Sequence, residues 1–466
     1  MSEQFDAIVI GGGPGGYVAA IRVAQLGGKV VLVEKNKLGG VCNNYGCIPS
    51  KTMIRLGEIQ SNIPIADSFG IKIAKSGIDI KKLVENRNAL LTKLSNGVGT
   101  LLKLNGVKVI FGTAEIKSKN EIQITDSENK TENLLAKNII IATGSSVARP
   151  KLFSTSKNIM SSEEFLIADD IPKNILIVGG GPEGVEFASM LTNFDCDVTI
   201  IEMLDRLVPQ EDTDVSTTIE KVLKKNGVNV LTGFRVVEVK DDGNTTRIKI
   251  EKGNETISLN AEKILVSIGR KPNTHGIGLE NAGVNVNEFG RIVVNDKMET
   301  SAGNIYAIGD VIGGRYAHEA MENGVVAAQN CMGLNSSMKN QVIPRCIYTL
   351  PEIACVGLTE DEAKKDYDID VGKFFFKASG RAMTMGNTDG FVKVILDKKT
   401  RSFLGIHIVN ERASDIVGEA VLAIKHLKSD DIISAIYPHP TLVEGFKEAV
   451  MNAYGRSIHY FSQKTK

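Results

Sequence analysis

Hydrophobic positions at the start of the chain alternate between the spacing of a buried strand and that of a helix. Residues 5–10 read FDAIVI, a short apolar run, and YVAAIRVAQLG then follows with helical spacing before a second apolar run, KVVLVE. Six residues, GGGPGG, separate the first run from the helix. Strand, glycine-rich turn, helix and strand in this order predict one βαβ unit.

The same order returns at residues 174–202. NILIVG leads through GGPEG into the helical VEFASMLTNF and then into the strand DVTIIE. In both units an acidic residue, Glu34 or Glu202, ends the second strand 23 positions after the first glycine of the turn. The matched spacing predicts two related nucleotide-binding folds.

The rest of the chain predicts more sheet, one long helix and a C-terminal part of a different kind. After Pro344, FVKVILDKKTRSFLGIHIV reads as an antiparallel hairpin, so we expect a separate α+β domain from about residue 345. The spacing predicts helices at 81–104, 413–427 and 442–454, and strands within 109–125, 133–141, 229–268 (with a turn at 241–244) and 304–310.

Each glycine-rich turn has the pattern G-x-G-x-x-G in the context that gives it meaning, after a strand and at the start of a helix. Glycine lets the backbone approach a pyrophosphate, which the free N–H groups and the dipole of the helix N-terminus hold. A carboxylate at the end of the second strand accepts hydrogen bonds from a ribose and repels a 2′-phosphate, so Glu202 favours NAD over NADP, although Arg206 would oppose this. The glycines concerned are Gly11, Gly13 and Gly16 in the first unit and Gly179, Gly181 and Gly184 in the second.

Two cysteines, Cys42 and Cys47, lie just beyond the first unit. Residues five positions apart in a helix have Cα atoms about 8.7 Å apart, whereas a disulfide needs less than ~7 Å. A bond between these sulfurs therefore requires a bend, which Gly46 allows, and a strained disulfide suits catalysis better than structure. Metal binding is the alternative, but a structural zinc site needs four ligands and no nearby residue completes the set, so no metal is expected.

Charge and composition narrow the function further. Lys and Arg together number 55, as do Asp and Glu, so the net charge is zero and neither nucleic acid nor a membrane surface is an expected partner. No apolar run approaches the ~20 residues of a membrane span, and the N-terminus lacks a secretory signal. A close cysteine pair in a chain with few cysteines fits the reducing cytoplasm, where we expect the protein. Since a flavin can mediate between hydride and thiol chemistry, we expect a flavin in the first nucleotide site.

Together these features resemble the pyridine nucleotide–disulfide oxidoreductases, and within them the dihydrolipoamide dehydrogenases, over essentially the whole chain. The most specific segments are GGPGGYVAAIRVAQLG, GCIPSK, IIIATG, NIYAIGDV and HPTL with Glu444. The resemblance implies an α/β fold with two Rossmann-like domains, for FAD and NAD, and a C-terminal α+β dimerisation domain. It places the FAD domain at 1–147 and 270–344, the NAD domain at 148–269 and the interface domain at 345–466.

The resemblance also implies roles for individual residues. Cys42 would be the interchange thiol that meets the substrate, and Cys47 would lie against the flavin. Lys51 would lie near the flavin and pair with Glu186, and Asp310 would bind the ribityl chain. The other cofactor contacts that it implies are Ala114, Gly144 and Ala317 for FAD, and Val236, Gly269 and Arg270 for NAD.

His439 is the expected acid–base group. A substrate thiol is mostly protonated at pH 7, and a histidine can take its proton while a carboxylate, here Glu444, fixes the tautomer. No comparable partner is expected for the other histidines, which are His275, His318, His407, His426 and His459.

The implied activity is oxidation of protein-bound dihydrolipoamide with reduction of NAD⁺, in a homodimer in which His439 reaches across to the partner chain. The implied partners are the lipoyl domains of a 2-oxoacid dehydrogenase or glycine-cleavage complex. The alternatives are another NAD(P)H-dependent disulfide reductase, an NADH oxidase or diaphorase that uses the flavin alone, and a non-catalytic scaffold. The tail lacks a cysteine pair, which argues against a mercuric reductase, and Glu202 opposes a glutathione-type enzyme.

Overall fold

The computed structural model describes residues 4–73, 77–153, 156–241, 243 and 245–461. Its α-helices are α1 (Pro14–Gln25), α2 (Gly40–Asn44), α3 (Cys47–Ser68), α4 (Ile80–Leu104), α5 (Ser162–Ile167), α6 (Pro182–Thr192), α7 (Thr213–Lys225), α8 (Ala317–Cys331), α9 (Glu360–Asp366), α10 (Gly380–Met385), α11 (Ala413–His426), α12 (Ser429–Ser434) and α13 (Glu444–Ala453).

The strands among the described residues are β1 (Gln4–Ile10), β2 (Val30–Glu34), β3 (Lys108–Phe111), β4 (Thr113–Ser118), β5 (Glu121–Thr125), β6 (Thr131–Ile141), β7 (Ser145–Val147), β8 (Ile159–Ser161), β9 (Asn174–Val178), β10 (Asp197–Glu202), β11 (Asn229–Thr232), β12 (Arg235–Asp241), β13 (Thr246–Lys252), β14 (Glu255–Ala261), β15 (Lys263–Val266), β16 (Arg270–Pro272), β17 (Ile305–Ala307), β18 (Arg345–Ile347), β19 (Glu352–Gly357), β20 (Ile369–Phe375), β21 (Phe391–Asp397) and β22 (Phe403–Asn410).

The first sheet is built around the first βαβ unit. Its strand order is β3-β2-β1-β6-β5-β4, and β17 also pairs with β6 in parallel. Strand β2 is buried along its whole length, as the continuous apolar run KVVLVE predicts for a parallel strand covered on both faces. Because β17 lies far along the chain, the sheet is completed only after the second unit has been built.

The second unit forms a parallel sheet of its own, in the order β11-β10-β9-β15-β8, with the antiparallel sheet β12-β13-β14 beside it. Strands β7 and β16 pair with each other at the point where the chain leaves the first sheet for the second and where it returns. The C-terminal part is an antiparallel sheet, β18-β19-β22-β21-β20, whose helices α11 and α13 pack on it. The α/β class expected from the sequence is confirmed.

Most of the predicted elements are present, with small differences in their bounds. The region 109–125 is divided into three strands, because tight turns interrupt it, and the strand expected over 304–310 is limited to β17. The turn expected at 241–244 falls partly outside the described residues. Among those described, no helix is both long and apolar enough to cross a lipid bilayer.

Candidate active site

The first glycine-rich turn is compact because its backbone groups almost touch. A Cβ on Gly16 would lie 1.9 Å from the carbonyl oxygen of Gly11, and one on Gly11, whose φ is +107°, would lie 2.3 Å from that of Ala142. Helix α1 then begins after Gly13 with no side-chain cap, and a Cβ on Gly13 would meet no atom within 4 Å. The turn therefore offers uncapped N–H groups beside open space, as anion binding requires.

The second turn repeats this geometry. A Cβ on Gly184 would lie 1.9 Å from the carbonyl oxygen of Gly179, and one on Gly179, whose φ is +113°, would lie 2.2 Å from that of Ser267. Helix α6 also begins without a side-chain cap, and the Cβ position of Gly181 is open. Both expected dinucleotide sites thus have the same close-packed turn and the same free helix N-terminus.

The acidic residues at the strand ends are held by the turns that they face. Glu34 accepts hydrogen bonds from the N–H groups of Gly12 and Asn36, both at 2.7 Å. Glu202 accepts them from Gly180 at 2.6 Å and Leu204 at 2.7 Å. Each carboxylate is thereby fixed beside its open helix N-terminus, where its remaining lone pairs can receive ribose hydroxyls.

The side chain of Arg206 is turned toward its own loop. Its guanidinium donates to the hydroxyl of Thr213 at 2.5 Å and to the carbonyl oxygens of Pro209 at 2.9 Å and Glu211 at 3.3 Å. Three of the five N–H donors of the guanidinium are thereby engaged within the loop.

The two cysteines lie on either side of a break between two helices. Cys42 is in α2, which ends at Asn44, and Cys47 is the first residue of α3. Gly46, between them, has φ −135° and ψ −100°, so the bend that the spacing of the cysteines requires is present. A Cβ on Gly40 would lie 2.7 Å from the Cα of Gly13, which shows that the cysteine-bearing helix packs directly on the first glycine turn.

The two thiols are free and have opposite electrostatic environments. The hydrogen bond that Cys42 donates to Cys47, together with burial, raises the pKa of the Cys42 thiol. The same hydrogen bond lowers the pKa of Cys47, and the ammonium of Lys51 lowers it further, against the effect of burial. In the reduced pair these effects favour loss of the proton from Cys47 over its loss from Cys42.

Lys51 connects the cysteines to the second nucleotide fold. Its Nζ lies 2.9 and 3.1 Å from the carboxylate oxygens of Glu186, which is on α6. Burial opposes the charge of Lys51, but the charge and hydrogen bonds of Glu186 raise its pKa. The ion pair expected from the sequence is thus present, and it joins the N-terminal part of α3 to α6, the helix that follows the second glycine-rich turn.

Asp310 and Arg270 belong to one hydrogen-bonded group. Ser145 donates from its hydroxyl to Asp310 at 2.5 Å and accepts from Arg270 Nε at 2.7 Å, and Arg270 also pairs with Glu163 at 2.7 Å. Arg270, which was expected to contact NAD, therefore lies in the same hydrogen-bonded group as Asp310, which was expected to contact FAD.

Of the other expected cofactor contacts, two glycines follow strands whose ends abut the turns. Gly144, with φ +68°, follows β6, whose extension at Ala142 abuts Gly11, and Gly269, with φ +107°, follows β15 in the same relation to Gly179. Ala317 is the first residue of α8, another helix without a side-chain cap. The last two are strand residues, the buried Ala114 on β4 and the half-buried Val236 on β12.

His439 and Glu444 form the expected pair. The Nδ1 of His439 lies 2.9 Å from Glu444 Oε1, and the N–H of Thr441 donates to the other oxygen at 2.7 Å. Burial opposes it, but these hydrogen bonds hold the pKa of Glu444 below its usual value. The imidazole is 79 % exposed, so its Nε2 side is open to a partner.

The expectation that His459 lacks a comparable partner is wrong. Its Nδ1 lies 2.8 Å from Glu448 Oε1, and Glu448 is one helical turn beyond Glu444 on α13. The two residues of this second pair are 11 positions apart, and the chain returns to the helix to form it. No local spacing rule would have found it.

The geometry agrees with comparisons with known proteins. The chain matches the pyridine nucleotide–disulphide oxidoreductase family over residues 5–330 and the dimerisation domain of that family over 343–450. The dihydrolipoyl dehydrogenases of Bacillus subtilis and Thermus scotoductus are each 42 % identical to it, over 99 % of this chain and 100 % of theirs. The HOCl-induced flavoprotein disulfide reductase RclA from Escherichia coli superimposes with a TM-score of 0.85 at 27 % identity, covering 95 % of this chain and 99 % of that one.

The family match spans both glycine-rich units and the cysteine pair, and the dimerisation match spans the C-terminal sheet, His439 and Glu444. The chain therefore belongs to the pyridine nucleotide–disulphide oxidoreductases, a family of enzymes.

Proposed function

We propose that the protein is a dihydrolipoyl dehydrogenase, which oxidises protein-bound dihydrolipoamide to lipoamide and reduces NAD⁺. The observation that carries the proposal is the position of the two thiols, which lie between the first glycine-rich turn and the Lys51–Glu186 pair of the second fold. The naming of the full-length relatives supports the choice of substrate.

The residues fit the two cofactors of the proposal. The first turn, Glu34 and Asp310 would hold FAD, and the second turn with Glu202 would hold NAD. The open Cβ positions of Gly13 and Gly181 leave room for a pyrophosphate at each helix N-terminus. Arg206 uses three N–H donors within its own loop. The fixed carboxylate of Glu202 supports the choice of NAD over NADP at the second turn.

The reaction begins with thiol–disulfide exchange. In the oxidised enzyme, a substrate thiolate attacks the sulfur of Cys42, a mixed disulfide forms, and Cys47 leaves as a thiolate. The second substrate thiol then attacks the mixed disulfide, which releases cyclic lipoamide and returns the electron pair of the Cys42 bond to that sulfur. FAD, which the first turn, Glu34 and Asp310 would hold, would supply the two-electron chemistry that restores the Cys42–Cys47 disulfide and reduces NAD⁺ by hydride transfer.

Proton transfer falls to the partner chain in this proposal. His439 of one subunit accepts the proton of the substrate thiol at Nε2, while Glu444 holds Nδ1 and stabilises the imidazolium. The dimerisation domain supports a homodimer, and the exposed imidazole is free to reach a neighbouring subunit. The substrates would be lipoyl domains of a 2-oxoacid dehydrogenase or glycine-cleavage complex.

Turnover of the holoenzyme tests the proposal. We expect reduction of NAD⁺ by dihydrolipoamide in the wild type, and loss of that activity in Cys42→Ser with retained electron transfer from NADH to an artificial dye. A wild type that reduces another disulfide but does not oxidise dihydrolipoamide would assign the chain to a different reductase. Dihydrolipoamide oxidation that survives in Cys42→Ser would contradict the exchange mechanism.

A further inference from the structure

Tyr348 contacts the Lys51–Glu186 pair in two ways. The ammonium of Lys51 lies 4.3 Å from the centroid of the Tyr348 ring, a distance at which the face of an aromatic ring attracts a cation. The N–H of Tyr348 donates to Glu186 Oε1 at 2.8 Å. One residue, just after β18, therefore holds both members of the ion pair.

Three parts of the chain meet at this point. Lys51 comes from α3 beside the first sheet, Glu186 from α6 of the second, and Tyr348 from the C-terminal sheet. The loop that carries Tyr348 is anchored again two residues later, where the N–H of Leu350 donates to the hydroxyl of Ser189 on α6 at 2.8 Å. The ring is thus fixed relative to α6 by two backbone hydrogen bonds, which gives the flexible lysine a rigid surface.

The position of the ammonium matters because two neighbours act on Cys47 in opposite directions. The charge of Lys51 lowers the pKa of Cys47, and the charge of Glu186 raises it. The titratable groups that act on Lys51 are Glu186, Cys47 and Tyr348, and Cys346 of β18 also feels its charge. A lysine side chain is flexible because its four-carbon stem rotates about each of its bonds. A small displacement of the ammonium toward Glu186 would therefore weaken its stabilisation of the Cys47 thiolate.

We propose that Tyr348 is a positioning residue for the dithiol, whose ring face holds the Lys51 ammonium where it stabilises the Cys47 thiolate. This role rests on the proposed function, and it lies with the ring and not with the hydroxyl. Tyr348→Phe keeps the ring, whereas Tyr348→Leu and Tyr348→Met remove it and keep an apolar side chain.

The measurement is the pH titration of the reduced holoenzyme, followed through the long-wavelength absorbance that a thiolate beside a flavin produces. We expect the apparent pKa of this band to rise by about half to one pH unit in Tyr348→Leu and Tyr348→Met. At pH values below the pKa, this corresponds to a thiolate population about three- to tenfold smaller than in the wild type. Tyr348→Phe should stay within about 0.2 unit of the wild type, because cation–π attraction does not need the hydroxyl.

A double-mutant cycle tests whether the ring acts through Lys51. In a Lys51→Met background the same ring-removing substitution should no longer move the titration. The proposal is overturned if Tyr348→Leu and Tyr348→Met titrate like the wild type, or if their shift persists in the Lys51→Met background. It is also overturned if Tyr348→Phe retains flavin and both of the other variants lose it. Absence of the band in the wild type would instead contradict the proposed function.

Discussion

The two glycine-rich units have the same turn but differ in the contacts that join them to neighbouring elements. In the first, α1 packs against α8 through glycine. A Cβ on Gly15 would lie 2.8 Å from the carbonyl of Ala320, and one on Gly324 would lie 2.5 Å from the carbonyl of Gly15. In the second, the start of α7 faces the C-terminal sheet through Asp212 and Asp214, which both accept from Lys393.

The difference shows how one fold can serve two purposes. The glycine contacts of the first unit leave no room between two helix backbones, as expected where a cofactor is to remain bound. The second unit shares an apolar core with the C-terminal sheet. It also has buried ion pairs to that sheet, whose strength depends on protonation. At the fifth position of the turn the first unit has Gly15 and the second has Glu183, so the sequence of the turn already reflects this difference.

Of the changes that test this comparison, removal of the charge of Lys393 should have the largest effect on the free energy of unfolding. Its side chain is 2 % exposed and contacts Asp212 at 2.7 Å, Asp214 at 2.6 Å and Glu360 at 2.7 Å. Lys393→Met would leave the buried Asp212 without its counterion, at a cost of about 3–5 kcal/mol in the free energy of unfolding. Denaturant melts of the holoenzyme would measure the change.

A matched variant and a second-site change sharpen that measurement. The matched variant is Lys373→Met, since Lys373 also pairs with Asp214 but its side chain is 31 % exposed. It should lower the free energy of unfolding by less than about 1 kcal/mol. Adding Asp212→Asn to Lys393→Met should restore part of the lost stability, because the unpaired charge disappears. No recovery in the double variant would show that packing of the Lys393 stem, and not its charge, holds the interface.

The glycine contacts should break next. Gly15→Ala places a methyl group against the carbonyl of Ala320, where backbone and not a flexible side chain must move, so we expect a loss of about 1–3 kcal/mol and weaker flavin retention. The control at the equivalent position is Glu183→Ala, which removes only the hydrogen bond from Ser267 at 3.0 Å. Thermal melts and flavin content would compare them, and equal losses would contradict the distinction between the two units.

Acid should weaken the second unit through Asp212. Burial opposes ionisation, but the hydrogen bonds from Lys393 and from the N–H of Glu360 lower the pKa of Asp212 from 3.8 to about 2. A carboxyl group with a lowered pKa stabilises the fold above its unfolded value, and this contribution is lost as the pH falls from 3.8 toward 2. Unfolding free energies measured over this range should fall less steeply in Asp212→Asn, and an unchanged slope would exclude Asp212 as the cause.

The sequence predicted the turns and the cysteine pair well because they depend on local spacing. The 23-residue interval from Gly11 to Glu34, for example, corresponds to the glycine-rich turn, one helix and one strand, whose lengths vary little. The contacts of Lys393 could not be predicted in this way, since they join α7 to β21 across about 180 residues. The same is true of His459, whose partner is fixed by the return of the chain and not by periodicity.

The smallest expected effect concerns which nucleotide each unit accepts. Glu202→Gln keeps an acceptor for one of the two N–H groups that now bond the carboxylate and removes the charge that would repel a 2′-phosphate. We therefore expect the preference for NAD⁺ over NADP⁺ to narrow by about tenfold or more in kcat/KM. The same substitution at Glu34 should leave this preference unchanged and act on flavin retention instead, because Glu34 belongs to the other turn. Steady-state kinetics with both nucleotides would measure the two variants side by side. If Glu34→Gln changed the nucleotide preference and Glu202→Gln did not, the assignment of the two units would have to be reversed.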